Sequence, residues 1–220
     1  MTIRLLAALL LIGSSLACAS ESSKTVDTPS VATYGTSYSG PKHSLVIGQF
    51  ANTSPYMRGV FSDGVDRLGG QAKTILKTHL SQTNRFTLVD RDNMSELERE
   101  SQIMGSSQNV TGAELVVTGE VTEFGRKTTG DRQIFGILGR GKKQTAYSKV
   151  SLNIVDVATS EVIYSVQGAG EFELANREVL GTGGTAGYDS TLNGKVLNLS
   201  ITDAVNKLVD GLEMGAWSAR

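Results

Sequence analysis

Apolar residues recur along this chain with two different spacings, and these predict alternating strands and helices. Ser44 to Phe50 is a short apolar run typical of a buried strand. From Val65 to Leu80 the apolar residues recur every three to four positions, which predicts an amphipathic helix. The helix is predicted to start at Ser62 or Asp63, because these residue types cap helices, and to end at Asn84.

The pattern continues through the middle of the chain. Arg85 to Asp90 is predicted to be a strand. Asn93 with Glu96 three residues later forms a capping-box pattern, so a second helix is predicted to follow. We expect its apolar residues to face the core; they are Met94, Leu97 and Met104.

Three more strands and a last helix complete the predicted fold. The strands are Leu115 to Phe124, Ala146 to Val157 and Val162 to Leu174, and residues 158–161 join the last two as a hairpin. The fold class is therefore α+β, with a mostly antiparallel sheet and helices packed against it. The final helix presents one apolar face, made of Leu197, Ile201, Val205, Leu208 and Leu212.

The chain starts with a basic residue and an apolar run, followed by small residues and its single cysteine. Leu5 to Ile12 is shorter than the roughly 20 residues of a membrane-spanning helix and has the flanks of a secretion signal. Leu16-Ala17-Cys18 matches a lipobox, in which the cysteine is acylated and becomes the first residue. Ala17-Cys18-Ala19 also fits ordinary signal cleavage, so that alternative stays open.

These features divide the chain into three parts. Residues 1–17 are predicted to be a signal peptide, and residues 18–43, which are rich in Ser and Thr, a lipidated flexible tether. Residues 44–220 are predicted to form the folded domain. The acyl chains would hold this domain at a membrane, since three chains anchor far more firmly than one.

Composition narrows the function classes. A net charge of -1 gives no electrostatic footprint for nucleic acid. One cysteine and two histidines leave little material for a metal site, and we expect His43 in the tether and His79 on a helix surface. No acid–base or nucleophile constellation is present. We therefore predict a protein that is not an enzyme and binds no cofactor or metal.

Several segments resemble the CsgG-like family of curli secretion lipoproteins. Residues 84–91 with Met94, Leu97 and Glu100 resemble the strand–helix signature of that family. Residues 112–124 are similar to its next strand, and residues 150–162 to its hairpin. The resemblance extends over residues 44–212, and the lipobox belongs to the same pattern.

The resemblance implies an outer-membrane lipoprotein with its domain in the periplasm, forming a ring of identical copies. In the family each copy lends two β-hairpins to a shared membrane barrel that exports unfolded subunits. A loop after the first strand builds the pore constriction, which here implies Tyr56, Val60 and Phe61, with valine where asparagine is expected. A loop that packs on its own domain is the alternative for Tyr56 and Phe61.

The two candidate hairpins, Gly125 to Lys149 and Gly168 to Lys195, do not have the composition of membrane strands. Such strands need about 9–11 residues with one apolar face, whereas here both faces of the first hairpin carry charges around a short apolar tip at 134–138. We therefore expect that residues 125–145 could instead be a mobile basic loop near anionic lipid headgroups. Its basic residues are Arg126, Lys127, Arg132, Arg140, Lys142 and Lys143.

Two functions follow from these expectations. The first is a homo-oligomeric outer-membrane lipoprotein that acts in protein export or surface assembly. The second is a lipid-anchored periplasmic scaffold without a pore, which binds secreted or envelope proteins. Neither involves nucleic acid.

Replacing Cys18 with serine removes the only thiol that can be acylated. We expect the wild-type protein to incorporate radioactive palmitate and to fractionate with membranes, and the variant to do neither. A wild-type protein that takes up no label would contradict the lipid anchor.

Overall fold

The computed structural model describes residues 28–56, 65–132, 140–178 and 191–218. Cys18, Val60, Phe61 and the tip at 134–138 lie outside these described residues. In chain order the elements are β1 (His43–Asn52), α1 (Arg67–Gln82), β2 (Phe86–Val89), α2 (Met94–Ile103), β3 (Leu115–Arg132), β4 (Arg140–Asp156), β5 (Val162–Glu178) and α3 (Thr191–Glu213).

The five strands form one mixed sheet in the order β2-β1-β3-β4-β5. The α+β class is confirmed, but the expectation of a mostly antiparallel sheet is wrong. β1 runs parallel to both β2 and β3, and only β3–β4 and β4–β5 are antiparallel. The reason is that α1 and α2 lie in the connections between the first three strands, and a helical crossover returns the chain so that the next strand runs parallel.

α1 and α3 pack on the same face of the sheet and enclose the core. A methyl group at Gly168 of β5 would overlap the backbone oxygen of Ser200, so this glycine lets α3 approach the strand closely. Burial of each large side chain contributes about 1.5–3 kcal/mol, which makes this layer the main source of stability. The largest fully buried side chains are Leu45, Leu76, Leu80, Leu115, Leu152, Ile154, Leu192, Leu197, Ile201 and Leu208.

α1 begins later than predicted. Its N-cap is Asp66, not Ser62 or Asp63, and the Asp66 side chain accepts a hydrogen bond from the amide of Gly69. The other Asp66 oxygen accepts from the amide of Asn52 at 2.6 Å, so the same residue ties the end of β1 to the helix. The predicted end is confirmed, because Asn84 follows the helix with a φ of 57°, outside the right-handed helical region.

α2 does not face the core, which contradicts the prediction. None of its ten residues is buried, and Leu97 and Met104 are 43% and 78% exposed. Asn93 makes no capping bond through its side chain, and Glu96 accepts from Ser95 instead. The apolar residues of α2 do recur at helical spacing, but the helix lies at the side of the sheet and does not pack over its face.

β3, β4 and β5 continue beyond their predicted ends. β3 pairs with β4 as far as Arg132 and Arg140, and β4 pairs with β5 as far as Glu178. The predicted basic loop is therefore wrong for the described residues, which are strands. Residues 168–178 are the third strand of this common extension, and residues 179–190 of the second predicted hairpin lie outside the described residues.

The glycines of the core layer allow a matched test. We expect Gly168→Ala to destabilise the protein by about 1–3 kcal/mol, because a well-packed interface must move to admit the methyl group. Gly70→Ala is the control: its new methyl group meets nothing within 4 Å, and the helix should gain about 0.5–1 kcal/mol. Urea unfolding midpoints measure both, and equal midpoints for the two variants would contradict the packing described.

Candidate functional site

The extension of the sheet, here called the arm, consists of residues 125–132, 140–147 and 171–178. It starts above the row formed by Phe124, Ser148 and Gly170 and ends at the row of Arg132, Arg140 and Glu178. At about 3.3 Å per residue its eight rows are about 26 Å long, and the rows nearest the domain still belong to the core through Ala146.

All six residues of the predicted basic loop lie in the arm. Arg126 stands opposite Ala146, and its Nη2 donates to Gln144 at 3.3 Å. Lys127 pairs with Thr145 across the strands. Arg132 and Arg140 stand opposite each other at the end of the arm, and Lys142 and Lys143 lie in β4.

The arm also contains acidic residues that the prediction left out. β5 brings Glu171, Glu173 and Glu178 beside the basic strands, together with Arg177. The arm as a whole has seven basic and four acidic residues, a net charge of +3. It remains a cationic projection, but one with an acidic side.

The N-terminal segment at residues 28–42, here called the strap, lies against the domain. Val31 is 2% exposed and belongs to the core, and the Ala32 amide donates to Asn206 of α3 at 2.9 Å. The assignment of these residues to a flexible tether is therefore wrong. The free tether can extend no further than the residues that precede the strap.

Arg85, at the start of β2, fastens the lower end of the strap. It is 5% exposed, and its guanidinium donates to Glu213 of α3 at 2.5 and 2.8 Å. The same group donates to Thr36 at 2.9 Å and lies 4.8 Å from the ring centre of Tyr38. One buried cation thus joins a strand, a helix end and the strap, and its charge is compensated by hydrogen bonds.

The direction of the strap follows from its contacts with α3. Thr36 lies near Glu213 at the end of that helix, whereas the carbonyl of Pro29 accepts from Asn198, near its start. The start of α3 is at the base of the arm, where Lys195 lies 5.2 Å from the ring centre of Phe172. Followed towards the N-terminus, the strap therefore runs up the domain towards the arm.

The tether and the arm have similar reach. Ten residue steps separate Cys18 from Thr28, and an extended chain covers at most about 35 Å over that length. The arm is about 26 Å long and extends from the same end of the domain.

Tyr56 is the one predicted constriction residue within the described part of the chain. Its ring packs on Phe124 with the centroids 4.7 Å apart, and its carbonyl accepts from Asn52. This contact is the arrangement expected for a loop packed on its own domain. The role of Tyr56, Val60 and Phe61 in a constriction stays a prediction.

Both histidines lie elsewhere than predicted. His43 starts β1, and its Nδ1 is 2.8 Å from Glu114. His79 is 3% exposed rather than on the surface, with Nε2 lying 2.5 Å from Asn198 and 3.1 Å from Thr202. These bonds join α1 to α3, so His79 is a buried structural contact between the helices.

Ion pairs link α1 to the end of β2, beside a small pocket. Hydrogen bonds from Lys77 and Asn93 lower the pKa of Asp90 to about 2. The pocket that Asp90 lines has room for about one water molecule. Among the described residues no group of three His, Cys, Asp or Glu could hold a metal, and no helix there is long and apolar enough to cross a membrane.

Comparison with known proteins identifies the family to which this chain belongs. Residues 34–220 match the family model described as the curli production assembly/transport component CsgG. The chain belongs to the CsgG family.

Two kinds of relative accompany that match. A Neisseria meningitidis serogroup B protein, provisionally named lipoprotein NMB1126/NMB1164, is 58% identical over 91% of this chain and 90% of its own length. A PelC dodecamer from Paraburkholderia phytofirmans is similar over 84% of this chain and 92% of its own, at 15% identity and a TM-score of 0.33. Lipoprotein GNA1162 from Neisseria meningitidis covers 80% of this chain with all of its own, at 11% identity and a TM-score of 0.36. At such TM-scores, neither structure indicates how this chain assembles.

Removing Arg85 should release the strap. In Arg85→Ala we expect trypsin to cut after Lys42 much faster than in the wild type, and stability to fall by about 2 kcal/mol because charged hydrogen bonds are lost. Arg91→Ala is the control, since that guanidinium binds the carbonyl of Thr111, away from the strap. Unchanged cleavage after Lys42 in Arg85→Ala would show that Arg85 does not hold the strap.

Proposed function

We propose that this protein is a lipid-anchored envelope component, held at the outer membrane by Cys18, that acts in protein export or surface assembly as a homo-oligomer. Membership of the CsgG family supports the export or assembly role. The observation that carries the placement is the course of the strap, which leads from Thr36 towards the base of the arm. With the anchor in the lipid, the cationic arm faces the membrane. Each of its basic residues near anionic headgroups then contributes about 1 kcal/mol to the binding free energy.

The arm is proposed to lie at the membrane surface rather than span it. Spanning strands need an apolar band of about 25 Å, and Arg or Lys at its midplane costs roughly 2–4 kcal/mol on the lipid face. In the arm, β3 has basic residues near both ends, at Arg126, Lys127 and Arg132, and the outer half of β4 has Arg140, Lys142 and Lys143. In the described residues the arm also has three strands, an odd number that does not close an antiparallel barrel from repeated copies.

A scaffold without a pore is the second candidate, and the packing of Tyr56 on Phe124 favours it. In that case the arm positions the domain, and the opposite end binds other envelope proteins. Cross-linking distinguishes the two candidates: linked copies of the protein would support the homo-oligomer, whereas monomers with a stable partner in pull-downs would favour the scaffold. Discrete conductance steps from the protein reconstituted in planar bilayers would establish a pore and contradict an arm that only lies on the surface.

The placement of the arm can be measured with a fluorescent label. A cysteine at Thr129 carries the label in the arm, and one at Thr87, which is exposed in β2 at the other end of the sheet, is the control. The acylated protein is placed in vesicles of phosphatidylglycerol and phosphatidylcholine with a quencher attached to the headgroups. We expect quenching at Thr129 only. Equal quenching at both sites, or more at Thr87, would overturn the placement.

A further inference from the structure

α2 exposes apolar side chains that the core of the domain does not use. Leu97 is 43% exposed, and Met104, the C-cap residue of the helix, is 78% exposed. Ile103 at the end of the helix is 72% exposed, and none of the ten residues of α2 is buried. Single exposed apolar residues are common at protein surfaces. Several on one short helix form a patch, which is the usual mark of a contact with another molecule.

The apolar residues of α2 lie along one side of the helix. Met94 and Leu97 take positions a and d of a heptad, and Ser101 and Met104 take positions a and d of the next one. These four residues are here called the stripe. Their spacing is that of the anchor residues by which one amphipathic helix packs on another protein.

Acidic residues flank the stripe on both sides. Glu98 and Glu100 take the e and g positions, and both are exposed. No ion pair joins either of them to another described residue. By contrast, Asp90 and Asp92 just before α2 each pair with a lysine of α1 at 2.7 Å. The two glutamates beside the stripe can therefore pair with cations from another molecule.

We propose that α2 is the docking site for a helix of another envelope protein, one whose apolar stripe is flanked by lysine or arginine. The apolar side chains of that helix pack between Leu97 and Met104, and its cations meet Glu98 and Glu100. Charge pairs at the e and g positions determine which helices associate in such contacts. That the partner belongs to the envelope rests on the proposed function, whereas the docking surface itself does not.

The charges disfavour two other occupants of the stripe. A membrane surface carries anionic headgroups, which repel the glutamates beside the stripe. A second α2 offers no cation to them, because Arg99 is the only basic residue of the helix and takes position f, on the side opposite the stripe. Two α2 helices packed stripe to stripe would leave the glutamates of both copies unpaired.

The length of α2 limits the strength of the contact. Its ten residues extend for about 15 Å, so the buried area falls in the range of weak and transient interfaces. The affinity then depends strongly on the charge pairs at Glu98 and Glu100. We therefore expect it to fall as the salt concentration rises.

Two synthetic helical peptides test the chemistry of the partner. Both carry leucine at every a and d position; one has lysine and the other glutamate at every e and g position. Binding of each labelled peptide to the acylated protein in phosphatidylcholine nanodiscs is measured by fluorescence anisotropy, with empty nanodiscs as the blank. We expect the lysine peptide to bind and the glutamate peptide not to bind. Binding of neither peptide, or equal binding of both, would overturn the proposal.

Substitutions in the stripe locate the contact on α2. In Leu97→Ser/Met104→Ser we expect the affinity for the lysine peptide to fall about tenfold or more. The melting temperature should not change, because neither side chain is buried. Met214→Ser is the matched control, since this methionine is also 78% exposed but follows α3. Unchanged peptide affinity in the double variant would overturn the proposal, and so would a clear fall in its melting temperature, which would show that the stripe packs within the domain.

Charge reversal tests the flanks of the stripe. In Glu98→Lys/Glu100→Lys we expect the preference to invert, so that the glutamate peptide binds and the lysine peptide does not. Asp210→Lys, at an exposed position of α3, is the control and should keep the wild-type preference. If the double variant still prefers the lysine peptide, the glutamates do not select the partner and the proposal is wrong.

Native mass spectrometry separates this inference from the proposed function. We expect Leu97→Ser/Met104→Ser to have the same oligomeric state as the wild type. A change of state would show that a second copy occupies the stripe, and would overturn docking of a foreign helix there. A wild-type protein that is monomeric would refute the proposed homo-oligomer, whereas the peptide measurements alone decide the docking site.

Discussion

The arrangement of the molecule depends on the buried guanidinium of Arg85. This one cation binds Glu213 at the end of α3 and Thr36 in the strap, and it lies over the ring of Tyr38. A charged group with almost no exposure is tolerated only when its donors are satisfied, so the strap is part of what makes this site stable. From Arg85 the strap runs up α3, past Asn206 to Asn198, which lies near the base of the arm.

The arm depends in turn on the close packing beneath it. Gly168 and Gly170 let α3 approach β5 at the level where the arm begins, since any side chain at either position would meet the helix. The helix thereby holds the base of a three-stranded ribbon that has little apolar surface of its own. Three strands are stable in water only with a hydrophobic face or a helix packed against them.

The spacing of apolar residues predicted the strands and helices that bury one face, but not the strap or the full length of the arm. β1, α1 and α3 were found because residues such as Leu45, Leu76 and Ile201 repeat with the spacing of their element. The inward face of α2 was wrong, because spacing shows that a helix is amphipathic but not what lies over its apolar stripe. The strap was missed because its partners are distant in sequence: Ala32 bonds to a residue 174 positions away. The arm was underestimated because its pairing involves polar residues, which leave no apolar alternation to detect.

The central claim is that the anchor and the arm lie at the same end of the domain, with the β4–β5 turn at the other. Electron cryo-microscopy of the acylated protein in lipid nanodiscs tests it directly, since density for the bilayer and for both ends of the sheet would be seen together. We expect the end of the arm, at Arg132 and Arg140, to contact the bilayer and the β4–β5 turn to be the part of the sheet furthest from it. Density that places the β4–β5 turn against the lipid, with the arm pointing away, would contradict the account.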